Sequence, residues 1–134
     1  MDVVDVRWKQ RFQNFDKAFK RLTDAIQIIR NDPDNVLLQA GLIQTYEFTF
    51  ELAWKTLKDY LEMEGFTVSS PRATLRQAFQ SGYIQQGDVW LKALNDRNLT
   101  PHTYDDEVTK EVIADIQQTY YFLLKDLYQW LMGL

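Results

Sequence analysis

In the stretch "LNDRNLTPHTYDDE", residues 94–107, the only histidine of the chain, His102, stands five positions after Arg97 and two before Tyr104. These residue types suit work on a phosphate ester. A guanidinium is permanently charged and offers a planar fork of donors that matches phosphate oxygens. An imidazole titrates near neutrality and gives or takes a proton. Together they supply what RNA cleavage needs without a metal. His102 removes the proton of a ribose 2′-hydroxyl, which attacks the adjacent phosphorus, and Arg97 steadies the charge that grows on the phosphoryl oxygens. The ends would be a 2′,3′-cyclic phosphate and a free 5′-hydroxyl, and DNA, without the 2′-hydroxyl, would be spared. The reaction also wants an acid for the leaving oxygen, and a two-fold dimer is one way to bring a second histidine.

Each residue has a plainer reading. His102 at a helix start could bond a backbone group. Arg97 could close the preceding helix, where the dipole favours a cation. Tyr104 could be core, although the acids that follow it argue for a wet setting. Asp96 and Asn98 flank Arg97 and could orient it or bind ribose; turn formation explains them equally well. Gln44 and Glu47, about one turn apart, could face the site from another helix or sit at the surface. Arg72 and Arg76 in "SPRATLR" could meet phosphate or a partner, or form a solvated face.

The elements that must position this stretch read as helices. Trp8, Phe12, Phe15, Phe19, Leu22, Ile26 and Ile29 recur in steps of three and four, one apolar stripe on a helix over about residues 6–30. "NDPDN" ends it, since proline cannot continue a helix and Asp or Asn can cap the next. The segment from about 35 to 64 is apolar nearly all round, which places it centrally in a bundle and makes a second subunit a simple cover. Gly65 reads as its left-handed C-terminus. Ser70 and Pro71 open a short helix that Gly82 closes. A second short helix follows, with Asp88 as its expected cap. The last long helix, about 101–132, starts either at Thr100 with Pro101 or at Thr103 with Asp106. No segment alternates with period two. The expectation is all-α: an up-and-down bundle of three long and two short helices in one domain, 1–134.

Composition narrows the function. With 134 residues, 46% of them apolar, the chain suffices for one packed domain. The absence of cysteine excludes disulfides and thiolate zinc sites. One histidine and no paired-acid pattern argue against a metal site, and no glycine-rich phosphate loop is present, so neither metal nor cofactor is expected. The net charge of −4 argues against coating nucleic acid through the overall field, while leaving room for a local phosphate site. The acids in "MDVVDVRWKQRF" argue against a signal peptide, and no run of eighteen apolar residues occurs. A cytoplasmic protein without a membrane segment is the expectation.

Three segments, "GLIQTYEFTFELAWKTLKDYLEMEG", "SPRATLRQAFQSGYI" and "DRNLTPHTYD", carry a resemblance that covers nearly the whole chain. The chain resembles the HEPN superfamily of helical bundles, and within it the branch of nucleotidyltransferase substrate-binding proteins, also described as HepT-like toxins. That branch shows Arg, four residues, His, one residue, Tyr, matched by Arg97, His102 and Tyr104. The resemblance implies a homodimer with paired motifs in an interfacial cleft. It implies a ribonuclease toxin paired with a small nucleotidyltransferase, which silences it by transferring adenylate to Tyr104. The branch's older name implies another role, a non-catalytic subunit that docks the nucleotidyltransferase and presents its substrate.

Overall fold

The first helix, α1 (Val3–Arg30), buries most of the apolar stripe read from the sequence: Trp8, Phe15, Phe19, Leu22, Ile26 and Ile29 are buried and Phe12 is half-buried. In this computed structural model, secondary structure is described for residues 3–98 and 106–134, and side chains for residues 6–98 and 106–134. After the Pro33 turn, Asn35 caps α2 (Val36–Met63), its side chain accepting from the amide of Leu38 at 3.1 Å. The short connection makes α1 and α2 antiparallel neighbours. Trp8 packs edge-on against Tyr60, Arg11 bonds Asp59, and Thr49 donates to the carbonyl of Ala18, so residue numbers fall on one helix as they rise on the other.

Two glycines end helices as their positions in the sequence predict. Gly65 (φ +98°) follows α2, and Gly82 (φ +80°) follows α3 (Pro71–Gln80). At both ends the two amides after the cap turn back to helix carbonyls: Phe66 to Leu61 and Gly65 to Glu62, Tyr83 to Ala78 and Gly82 to Phe79. At the other end of α3, Ser70 accepts from the amide of Ala73 at 3.1 Å and Pro71 takes the first helical position.

The next helix, α4 (Gly87–Asn98), departs from expectation. Asp88 lies inside its first turn and is not its cap. Gln86 takes a positive φ of 57° and its carbonyl accepts from Trp90, so the chain enters the helix earlier. A side chain at Gly87 would meet the ring of Phe79 at 3.0 Å, which ties the α3–α4 corner to a residue without one.

The last long helix is three pieces end to end: α5 (Asp106–Asp115), a π-helical turn (Ile116–Tyr120) and α6 (Tyr121–Met132). Val112, Ile116 and Tyr120 are spaced by four, and the wider π turn keeps all three on the buried face. Against α2 pack α1, α3, α4, α5 and α6, so α2 is the central helix. Most of its circumference is thus covered from within the chain. A stripe with Leu37, Gln44 and Phe48 faces outward. No strand occurs among the described residues, and the all-α bundle stands as predicted.

Candidate functional site

Arg97 occupies the last turn of α4, where a cation complements the helix dipole. Its guanidinium reaches α2 and pairs with Glu51, while Nη1 donates to Oδ1 of Asn98 at 2.9 Å. Glu51 is itself shared: the indole of Trp54 donates to it at 3.1 Å and the Lys55 ammonium lies 3.2 Å away. Three donors on one carboxylate hold the arginine head in a set place.

Glu47 lies one turn before Glu51 on the same face of α2. Its Oε1 is closed to solvent and meets no donor among the described residues. Burial raises its pKa above the ordinary glutamate value, and the Arg97 charge pulls the other way. Glu47 is therefore brought to Arg97, as is the exposed Asn98 through its bond from Nη1, whereas Gln44 lies exposed on the outward stripe of α2. His102 and Tyr104 lie outside the described residues.

Beneath Arg97 a polar network fixes the end of α4. Tyr120, only 1% exposed, donates its phenol proton to Asp96 and accepts from the Lys92 ammonium at 2.9 Å. Lys92 also reaches Asp115 at 2.9 Å. Burial first, then the bond to Asp96, raises the pKa of Tyr120, with Lys92 opposing; the bonds to Tyr120 and Asp115 raise that of Lys92. The ring of Tyr46 stacks on Tyr120 at 5.6 Å, and its hydroxyl donates to the carbonyl of Ala93 at 2.7 Å. Two buried tyrosines, from α2 and from the π turn, thus lock the helix that carries Asp96 and Arg97. From α3, Arg72 bonds Asn95 at 3.3 Å, while Arg76 is exposed and lines a shallow apolar hollow with Phe79 and Leu91.

Sequence reasoning passed over Glu51, Lys92, Asp115 and Tyr120. The i, i+4 spacing of Glu47 and Glu51 was a usable signal for the first. The i, i+4 spacing of Lys92 and Asp96 was another, while nothing local marks Asp115 and Tyr120, whose partners Lys92 and Asp96 come from a distant helix. Among the described residues no group of three acids and histidines could hold a metal ion, and no helix is long and apolar enough to cross a membrane.

This arrangement can hold an anion at a fixed guanidinium, beside a carboxyl group whose pKa burial raises. Three comparisons place it among known proteins. A family model described as nucleotidyltransferase substrate binding protein like matches residues 10–132. A Haemophilus influenzae protein named probable ribonuclease HepT is 36% identical over 84 residues, 59% of this chain. That alignment takes in 58% of the relative, less than two thirds of its length. A Haemophilus influenzae structure titled as the fold of a substrate binding domain of a nucleotidyltransferase superposes with a TM-score of 0.78 at 29% identity, over 90% of this chain and 98% of that one. A Thermus thermophilus protein superposes with a TM-score of 0.76 at 27% identity, over 86% and 96%. A chain from the MntA–HepT toxin–antitoxin pair, at 17% identity and a TM-score of 0.79 over 93% and 99%, shares the fold. With residues 10–132 matched to that family, the chain belongs to the nucleotidyltransferase substrate-binding-like proteins, the HepT-like helical bundles.

Proposed function

We propose that this chain is a single-domain, metal-independent endoribonuclease, the toxin half of a two-component pair whose antitoxin is a small nucleotidyltransferase. The observation that carries the reading is Arg97, anchored by Glu51 at the end of α4 next to the segment holding His102 and Tyr104. Covalent geometry alone keeps the His102 backbone within roughly 18 Å of that of Arg97, and two side chains bridge much of such a span. The name of the Haemophilus relative supports the same activity.

In this reading Arg97 binds the scissile phosphate and His102 takes the 2′-hydroxyl proton. The bond from O2′ to phosphorus forms as the bond to O5′ breaks, leaving a cyclic phosphate and a 5′-hydroxyl. No cofactor takes part. The active form is a homodimer that sets two motifs in one cleft, working on cytoplasmic RNA. Transfer of adenylate to the Tyr104 hydroxyl by the partner would silence it, because a phosphodiester two residues from His102 adds bulk and negative charge where RNA phosphate must sit.

The test is incubation of the purified chain with RNA and a chelator. Cleavage that persists with chelator and vanishes in His102→Ala and Arg97→Ala is the expected result; intact RNA at large protein excess refutes it. An intact-mass gain of one or more adenylates after mixing with the partner and ATP, absent in Tyr104→Phe, is expected for the control step.

The ion pair that already occupies Arg97 favours a second reading, a non-catalytic subunit that docks the nucleotidyltransferase and helps position its substrate. It predicts a stable complex and partner activity unchanged by His102→Ala.

A further inference from the structure

Cleavage of RNA through its 2′-hydroxyl moves two protons, one off O2′ and one onto the departing O5′, and each protomer brings one histidine, so within a protomer the second proton needs another group. The carboxylates gathered at Arg97 are not equivalent. Glu51 is engaged by Arg97, Trp54 and Lys55. Asp96 accepts from Tyr120 and lies 3.6 Å from the Lys92 ammonium. Glu47 alone of the three has an oxygen sealed from solvent that no described residue donates to, while the residue as a whole stays half-exposed.

A carboxylate with a sealed, donor-free oxygen bears a desolvation cost that the neutral acid largely avoids. Arg97 from α4 faces it and favours the charged form, while Glu51, one turn along α2, is itself taken up by Arg97. Desolvation outweighs the arginine, so the proton is held to higher pH than on an ordinary glutamate. An acid whose pKa is moved toward the working pH is the better proton donor.

We infer that Glu47 is the second proton carrier of the cleavage, giving its proton to the departing 5′-oxygen while His102 takes one from the 2′-hydroxyl. This rests on the ribonuclease reading above. In the step, the O2′–phosphorus bond forms and the phosphorus–O5′ bond breaks. The carboxyl proton of Glu47 goes to O5′, leaving Glu47 ionised and His102 as imidazolium. Water then returns a proton from the imidazolium to the carboxylate, restoring both groups.

The experiment uses two oligonucleotides with a single ribonucleotide, one with the natural 5′-oxygen bridge and one with sulfur in that place. A thiolate leaves without a proton. Glu47→Gln is expected to slow the oxygen substrate by roughly 10²–10⁴-fold, yet cleave the sulfur substrate within about threefold of the unaltered chain. His102→Ala is expected to lose both. Equal loss on both substrates in Glu47→Gln, or no loss on the oxygen substrate, overturns the assignment. If the unaltered chain cleaves neither, the ribonuclease reading itself falls. A carbon-13 titration of the Glu47 carboxyl, which requires no cleavage, is expected to show a midpoint above that of exposed glutamates; a midpoint at or below theirs overturns the assignment independently.

Discussion

Tyr120→Phe removes one oxygen from the centre of the network that locks α4. Phenylalanine fills nearly the same volume and keeps the stack on Tyr46, so no cavity opens. What disappears is the bond to Asp96 and the one from Lys92 at 2.9 Å, both to charged partners. Hydrogen bonds to charged groups contribute about 1.5–3 kcal/mol each. Two features reduce the loss. Lys92, whose side chain is 59% exposed, keeps Asp115 at 2.9 Å and regains water. Asp96, at 18% exposure, regains little water but keeps Lys92 at 3.6 Å. The expected loss is therefore about 2 kcal/mol in total, near the cost of one such bond. In urea at pH 7 this is a drop in midpoint of about 1 M with the slope unchanged. A double-mutant cycle with Asp96→Asn should give a coupling of about 1 kcal/mol. The pH dependence has a definite sign. The folded-state pKa of Tyr120 is raised above 10.0, so its contribution is complete below the unfolded value and is lost as pH rises through the folded one. Above pH 10 the unaltered chain should lose stability faster than Tyr120→Phe. A stability change under about 0.5 kcal/mol, or no coupling to Asp96, would refute the claim that this phenol braces α4.

Asp59 is buried at 4% side-chain exposure with Arg11 bonded to it at 3.1 Å, so Arg11→Met should cost about 3 kcal/mol in denaturant unfolding by stranding a charge, and Asp59→Asn clearly less; the reverse order would show that Asp59 is held by something else. Ser70→Ala should destabilise by about 1 kcal/mol through loss of the α3 cap, and Ser70→Gly by only a few tenths, read from the same unfolding curves. The Tyr128 hydroxyl bond lowers the Asp16 pKa below 3.8, and the same bond pushes the Tyr128 phenol up to about 12. Asp16 therefore contributes fully above its unfolded pKa and loses that contribution as pH falls through the lowered folded value. Tyr128→Phe should consequently cost about 1.5 kcal/mol at pH 7 and progressively less as pH falls below 3.8; a cost that does not change with pH would refute the bond.

The sequence alone determined those features whose causes lie within a few residues. The stripe from Trp8 to Ile29, the Ser70–Pro71 start, and the glycine stops at 65 and 82 follow from helical periodicity, capping and the conformational freedom of glycine, and the structure has them where they were expected. Local reasoning failed at Asp88, because a positive φ at Gln86 moves the helix entry upstream, and an aspartate in the first turn looks the same in sequence as one at the cap. It was also incomplete at α2, where an all-round apolar helix is equally consistent with a second subunit or with the neighbours α1, α3, α4, α5 and α6 that surround it.

Tertiary structure alone decided which side chains meet. Arg97 was legible as a phosphate-binding type at a helix end, and Glu47 as a residue that could face it from another helix; that Glu51 anchors Arg97, that one oxygen of Glu47 is sealed, and that Tyr120, 24 residues beyond Asp96, holds the same turn was not. Periodicity reports which face of a helix is buried, but not against which neighbour or at what height along it. Those depend on how several helices interlock at once, and only packing in three dimensions sets them.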